Sequence, residues 1–209
     1  GKLGAVNITS GPGGTNTLTG VIGQWLDSIP VIYISGQVKF ETTILSCPDL
    51  KLRQLGDQEI NITDIVRPVT KYAAVVTDPT SIRYELEKAL HHALNGRPGP
   101  VWLDVPLNVQ GALIDETALK GFECSCDQKP PEEKQIDEVL ALLKKAKRPL
   151  IIAGHGISIA GAADKFRRLL KKNGIPAVTT FCSSELLDNT DPLFAGRIGT
   201  LGQRAGNFV

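Results

Sequence analysis

The spacing of hydrophobic positions changes several times along the chain, and each change marks an element. Leu3 to Ile8 is an apolar run that reads as a buried strand. Ser10 to Gly14 cannot continue it, because Gly and Pro break the pattern. From Thr15 to Leu26 the apolar residues Leu18, Val21, Ile22, Trp25 and Leu26 recur at helical spacing. Pro30 to Ser35 is continuously apolar, as in a parallel strand covered on both faces, and ends at Gly36-Gln37. Residues 39–54 keep no steady period and read as a loop or a short helical excursion. Ile60 to Val66 predicts a short helix and Tyr72 to Val76 a short strand. Asp78 and Pro79 are suited to cap and open a helix. That helix, Thr80 to Leu94, buries Ile82, Leu86, Ala89, Leu90 and Ala93, and Asn95-Gly96 stops it. Val101 to Pro106 is the next buried strand.

The second half repeats the alternation. Leu107 to Pro131 is polar, ends in Lys129-Pro130-Pro131 and reads as an interdomain linker. A helix over Pro131 to Ala146 carries Ile136, Val139, Leu140 and Leu143 on one face. Leu150 to Ala153 is a strand that runs into the turn Gly154-His155-Gly156. A helix over Ile159 to Asn173, basic on its outer face, is capped by Gly174, and Ile175 to Thr180 is a further strand. Alternating strands and helices predict the α/β class, with parallel sheets and helices on both faces. The expected organisation is a first domain over 1–112, a linker over 113–131 and a second domain over 132–209.

Composition narrows the function. The 209 residues are 42% hydrophobic and 22% charged, as in a globular protein, and the net charge is +1. That balance gives no electrostatic case for nucleic acid or an acidic membrane. No apolar run approaches the ~20 residues that span a bilayer. Gly1 leads directly into a core-like strand, so no N-terminal signal is read, and a cytoplasmic location is expected. Cys47, Cys124, Cys126 and Cys182 are expected as reduced thiols, because Cys124-Ser125-Cys126 is too short for the usual metal or redox spacing. His91, His92 and His155 lack ligand-like spacing, so no metal is expected on this chain. The early strand, the helix start read within 202–209 and the lack of any Met suggest a portion of a longer polypeptide.

The segment Ile8-Thr9-Ser10-Gly11-Pro12-Gly13-Gly14-Thr15-Asn16 carries the strongest chemical signal: a strand, a tight glycine turn and a helix start. In an open α/β sheet this is where ligands bind, and glycine lets backbone come close to them. A well-made turn that holds nothing is the alternative. It is not a dinucleotide fingerprint, because Asn16 stands where the third Gly would be.

Five ordered motifs resemble the acetolactate synthase group of thiamine-diphosphate enzymes. They are TSGPGGTN, DSIPVIYISGQ, GDQE, TKY and GRPGPVWLDVP. RPLIIAGHGI and IPAVTT are similar to the start of that group's central domain. The resemblance implies two incomplete domains of the thiamine-diphosphate-binding and Rossmann-like types. It implies a parent enzyme that decarboxylates a 2-keto acid and transfers the acyl unit to an acceptor, using thiamine diphosphate and Mg²⁺ as a homodimer or homotetramer. The resemblance places the family's activating Glu upstream of Gly1-Lys2-Leu3-Gly4-Ala5, and so absent here, and its metal–diphosphate motif in a third domain. This chain by itself is therefore expected neither to bind the cofactor tightly nor to turn over.

By the same resemblance, backbone of Gly11, Pro12, Gly13 and Gly14 is expected near the pyrimidine ring or the substrate adduct. Asn16 either hydrogen-bonds near a subunit interface or caps the next helix. Gln37, at the end of a strand, either points into the cleft or is satisfied by backbone. Gln58 matches a Gln that lines the family's active site, Glu59 is expected to be structural, and Lys71 matches a frequent basic residue. Two features depart from the group: Asp57 replaces the usual Phe before Gln58, and Val38 to Leu55 is longer than usual. Both argue against acetolactate synthesis itself while leaving another acyl transfer standing. Gly154 and Gly156, with Gly161, resemble a nucleotide-binding turn. FAD or ADP occupies that domain in some members, but Phe181-Cys182-Ser183-Ser184 does not resemble the flavin-contacting segment. Two other functions fit the same residues: a non-catalytic binding or regulatory module, and a nucleotide-binding α/β protein.

Overall fold

A computed structural model describes residues 2–124 and 130–209, and these form two compact units, 1–128 and 129–209. Cys126 and part of the expected linker lie outside the described residues.

The first unit is a four-stranded parallel sheet. Its elements are β1 (Gly4–Ile8), α1 (Pro12–Thr15), α2 (Leu18–Asp27), β2 (Val31–Gln37), α3 (Ile62–Val66), β3 (Ala73–Val75), α4 (Ile82–Leu94), β4 (Pro100–Pro106) and α5 (Leu107–Gln110). The strand order is β1-β2-β4-β3. β2 and β4 are central, and both are almost wholly buried, as their unbroken apolar runs require. Their side chains alternate between two cores. Ile32, Val101, Leu103 and Val105 meet Ala89 and Ala93 of α4 on one face. Val31, Tyr33 and Trp102 meet Val21 of α2 and Ile62 and Val66 of α3 on the other. Tyr33 and Trp102 face each other in register and stack with ring centroids 4.9 Å apart. Helices on both faces follow from that two-sided burial.

Three details differ from the sequence reading. β1 is an edge strand, so its exposure alternates and Ala5 and Asn7 stay open to solvent. The expected helix from Thr15 is two pieces: α1 already starts at Pro12, whose fixed φ suits a first helical position. The chain then steps through Asn16 and Thr17 before α2 begins. Of the apolar stripe on α2, Val21 is buried, but Trp25 and Leu26 are 38% and 65% exposed.

The second unit contains α6 (Glu133–Lys145), β5 (Ile151–Ala153), α7 (Gly156–Ile159), α8 (Ala163–Asn173), β6 (Ala177–Thr179), β7 (Phe194–Arg197) and α9 (Arg204–Asn207). Its three strands are parallel in the order β5-β6-β7. The core is Ala153, Phe166, Leu170, Ile175, Ala177, Leu186 and Leu187. The predicted helix from Ile159 breaks at Gly161, whose φ of +63° no helix interior can hold, and α8 follows. β7 has no counterpart in the sequence reading. It holds only four residues, and Gly196 within it has φ +111°. α9 lies against it at glycine contact: a Cβ on Gly206 would sit 2.3 Å from the Arg197 carbonyl oxygen.

Candidate active site

All four strands of the first unit point the same way, so their carboxyl ends gather the loops that follow. Ile8 runs into the Ser10–Gly14 turn at this edge, and Gln37, Val76 and Pro106 end there too. A cleft of about 520 Å³ opens between β1, β2 and β4, lined by Asn7, Ile8, Thr9, Ile34, Ser35, Gly36, Val105 and Gln110. Its polar groups are uncharged.

The glycines of the turn serve first to let the chain meet itself. Gly11 has φ +60°, and a Cβ there would lie 2.3 Å from the backbone oxygen of Gln58. A Cβ on Gly13 would lie 2.5 Å from Thr9 Cγ2, and Gly14 is buried against Ile62 and Trp102. The sequence motif therefore encodes a contact with Gln58, in a strap 47 positions downstream. Pro12 and Asn16 are exposed. Asn16 ends α1, while Thr17, at the start of α2, gives its hydroxyl to the Gly14 carbonyl, 2.8 Å away.

The strap is residues 56–60. Gln58 is exposed and left-handed, with φ +56°, a conformation rare outside glycine and concentrated at functional sites. Asp57 beside it is also exposed. The Glu59 carboxylate turns back into the preceding loop, where it accepts from the backbone N–H of Ile44, of Leu55 (2.9 Å) and of Gly56 (3.1 Å). The long segment after Val38 is thus organised as three 3₁₀ turns around one carboxylate. Phe40 N–H adds a bond to Asn108 Oδ1 at 2.9 Å.

Gln37 is buried, and its whole amide is engaged. Nε2 donates to the Ile60 carbonyl and to Asp104 Oδ2, both at 3.0 Å, and Oε1 accepts from Val38 N–H at 3.1 Å. Asp104 is 2% exposed and also accepts from the Ser35 hydroxyl, which in turn accepts from Trp102 Nε1 at 2.8 Å. Burial pushes the Asp104 carboxyl up to about 6, against the lowering effect of its bonds from Ser35 and Gln37. Neither Asp104 nor Ser35 was legible as a site residue, since both sit inside apolar strand runs. A charge in such a run, as in Val101-Trp102-Leu103-Asp104-Val105, was the one available signal.

Lys71 stands elsewhere. It precedes β3 at the amino edge of the sheet and lines a cavity with Trp25, Leu26, Arg97 and Pro98. Its ammonium group donates to the Asn95 carbonyl, and burial lowers its pKa. Within this unit the fold does not bring Lys71 to Gln58.

In the second unit the turn Gly154–Gly156 leaves the carboxyl end of β5. A Cβ on Gly154 or Gly156 would meet nothing within 4 Å. Internal packing therefore does not explain these glycines, in contrast to Gly11 and Gly13. Beside the turn, Ser158 donates to Glu185 Oε1 at 2.6 Å, and His155 Nδ1 lies 3.8 Å from the same oxygen. Ser183 is buried and braces the Ala153 carbonyl at 2.7 Å, whereas Phe181 is exposed.

Comparison with known proteins agrees with this architecture. Residues 1–63 match the N-terminal TPP binding domain of thiamine pyrophosphate enzymes, and residues 136–209 match the central domain of the same enzymes. The chain belongs to the thiamine pyrophosphate enzyme family. It is 35% identical over its whole length to acetolactate synthase of Arthrospira platensis and 34% identical to the acetolactate synthase large subunit of Lactococcus lactis. The large subunit of Corynebacterium glutamicum is 34% identical over 97% of the chain. The chain spans about a third of these relatives, 35%, 35% and 31% of their lengths.

The family implies thiamine pyrophosphate and, by the resemblance, Mg²⁺. An uncharged heteroaromatic ring suits the uncharged lining of the carboxyl-edge cleft. Among the described residues no group of three or more His, Cys, Asp or Glu that could hold a metal occurs. No described helix is long and apolar enough to cross a membrane.

Proposed function

We propose that the chain supplies the pyrimidine side of an active site in a cytoplasmic acetolactate synthase-like enzyme, which decarboxylates a 2-keto acid and passes the acyl unit to an acceptor. The observation that carries this reading is the meeting of Gln58 with the Gly11 turn, in a chain similar throughout to acetolactate synthases. When bound, thiamine diphosphate supplies the electron sink for the decarboxylation. This chain's residues would do the rest. The turn Gly11–Gly14 shapes the wall against the ring, and the Gln58 amide, free to rotate at the surface, orients a substrate oxygen. Asp57 places a carboxylate where an apolar side chain would favour a small apolar acceptor, so a polar acceptor is expected. Gln37 acts from behind the surface rather than on the substrate, because its amide is spent on Ile60, Val38 and Asp104.

We further propose a homodimer or homotetramer, and a middle domain over 132–209 joined by residues 113–131. A second reading for that domain is favoured by the open glycine turn at Gly154 and Gly156: an adenine nucleotide, ADP or FAD, could approach the backbone there. On this chain alone, neither tight cofactor binding nor turnover is expected.

The test is a thiamine diphosphate and Mg²⁺ titration on the 209-residue chain and on the whole protein, followed by CO₂ release from a panel of 2-keto acids. The whole protein is expected to release CO₂ only with the cofactor, and Gln58→Ala to reduce the rate by about tenfold or more, the loss of one charge-assisted hydrogen bond in the transition state. Micromolar binding by the isolated chain, or no cofactor-dependent CO₂ from the whole protein, sinks the reading.

A further inference from the structure

Asp104 is the one described carboxylate that is fully buried in the strands of the first unit. It lies behind the cleft, in the central strand β4, opposite Ser35 in register. Nothing in the proposed chemistry uses it. Burying a charge is costly, so its partners should explain why it is there.

The polarity of the network is one-directional. The Trp102 N–H donates to Ser35 Oγ, the Ser35 O–H donates to Asp104 Oδ1, and Gln37 Nε2 donates to Asp104 Oδ2. An ionised carboxylate is an acceptor only. It therefore fixes which way the Gln37 amide faces. With its nitrogen toward Asp104, Gln37 spends its second N–H on the Ile60 carbonyl and leaves Oε1 for Val38 N–H. Those two backbone groups bracket the long loop between β2 and α3. Gln58 sits just inside the downstream end, pressed onto Gly11. Glu59 holds the loop from its own side, through Ile44, Leu55 and Gly56.

We infer that Asp104 is a positioning residue: through Gln37 it sets the place of the 56–60 strap and hence of Gln58 against the Gly11 turn. The importance of Gln58 to a reaction rests on the proposed function; its placement by Asp104 does not. Asp104→Asn keeps the shape and reverses the polarity. The Asn amide turns its N–H toward either Gln37 or Ser35. Toward Gln37 it makes the Gln37 amide flip, so Val38 N–H loses its partner and Ile60 O is left with Ile62 N–H alone. Toward Ser35 it leaves the Ser35 O–H without its acceptor.

Amide hydrogen exchange of the 209-residue chain, read residue by residue by NMR, tests this without cofactor or turnover. The reporters are Val38, Glu59 and Ile62, whose N–H groups bond Gln37 Oε1, Gly56 O and Ile60 O. In Asp104→Asn their exchange is expected to rise on the order of tenfold relative to wild type at neutral pH, the net strength of one hydrogen bond, with β1 and α4 unchanged. Wild type carries its own control. Burial puts the Asp104 carboxyl at about 6, so it gains a proton as pH falls through that value and ceases to be acceptor-only. The same three amides should then lose protection, after correction for intrinsic exchange, and Asp104→Asn should lack this step. β2 presents Ser35 and Gln37 to the carboxyl and β3 bonds residue 104 through backbone, and none of these titrates. Asp57 and Glu59 are the ionisable groups on the strap, so Asp57→Asn and Glu59→Gln should each retain the step. Asp104→Ala removes the acceptor whichever way an Asn turns: unchanged protection in both Asp104→Asn and Asp104→Ala, or a step that persists in either, overturns the inference. If neither variant folds, the wild-type profile decides: no step near pH 6 overturns it. Loss of cofactor binding in the whole protein would remove the proposed function and leave these readouts as they are.

Discussion

At the scale of single residues, the glycines of this chain divide by what surrounds them. Gly11 combines a left-handed φ with a backbone oxygen where its Cβ would be, whereas Gly154 and Gly156 have neither constraint. Gly11→Ala should therefore destabilise the first unit by about 1–3 kcal/mol or more, from backbone strain and from displacement of Gln58. Gly156→Ala should change the second unit by less than ~1 kcal/mol. Urea denaturation of the two variants checks this, and equal losses would show that Gly11 is not under the strain its contacts describe. The same comparison shows what was legible. The glycine turn and Gln58 were visible as separate motifs, but nothing in either named the other as its contact. Gln37 was visible as a polar residue ending a strand, and its two readings were separated only by the positions of Ile60 and Asp104.

At the scale of elements, periodicity located β2, β4 and α4 well, because each meets one dominant environment. Central parallel strands are buried on both sides, and a three-turn helix repeats its stripe several times. It located short or edge elements poorly. β1 looked like a core strand because composition does not reveal which strand ends the sheet. β7 has too few residues to show a period. The loop over 39–54 shows no period because one carboxylate, rather than a repeating backbone ladder, organises it. Glu59→Ala should release the N–H groups of Ile44, Leu55 and Gly56 to water and loosen that loop. Limited proteolysis between Glu41 and Leu55 is expected to accelerate severalfold, since cleavage tracks the open population. The thermal transition should move by only a few degrees, corresponding to ~1 kcal/mol. An unchanged cleavage rate would mean that the leucines and 3₁₀ turns hold the loop without Glu59.

At the scale of the whole molecule, each unit has a core and an apolar helix face that the described residues leave open. In the first unit it is the outer stripe of α2, with Ile22, Trp25 and Leu26. In the second it is α6, where Val139 and Leu142 are 64% and 70% exposed. In the sequence each helix shows only as apolar residues at helical spacing, which does not say what covers them. Large apolar surface of this kind is characteristic of an interface. Sedimentation velocity at tens of micromolar is expected to show species heavier than a monomer, and Trp25→Lys to shift them toward monomer. A chain that stays monomeric throughout, with or without Trp25, would argue that α2 does not pair copies of this chain.

The sequence by itself determined the class of the fold, its alternation of strand and helix, and the family. These depend on local periodicity and on short contiguous motifs, which need no knowledge of what lies across the molecule. Tertiary structure decided which strands became edges, which apolar stripes found a partner and which polar residues meet. The Gly11–Gln58 contact and the path from Asp104 through Gln37 to Ile60 join residues 23 to 67 positions apart. Such meetings are set by the crossing of parallel strands, because a crossover connection brings distant segments to one edge of the sheet.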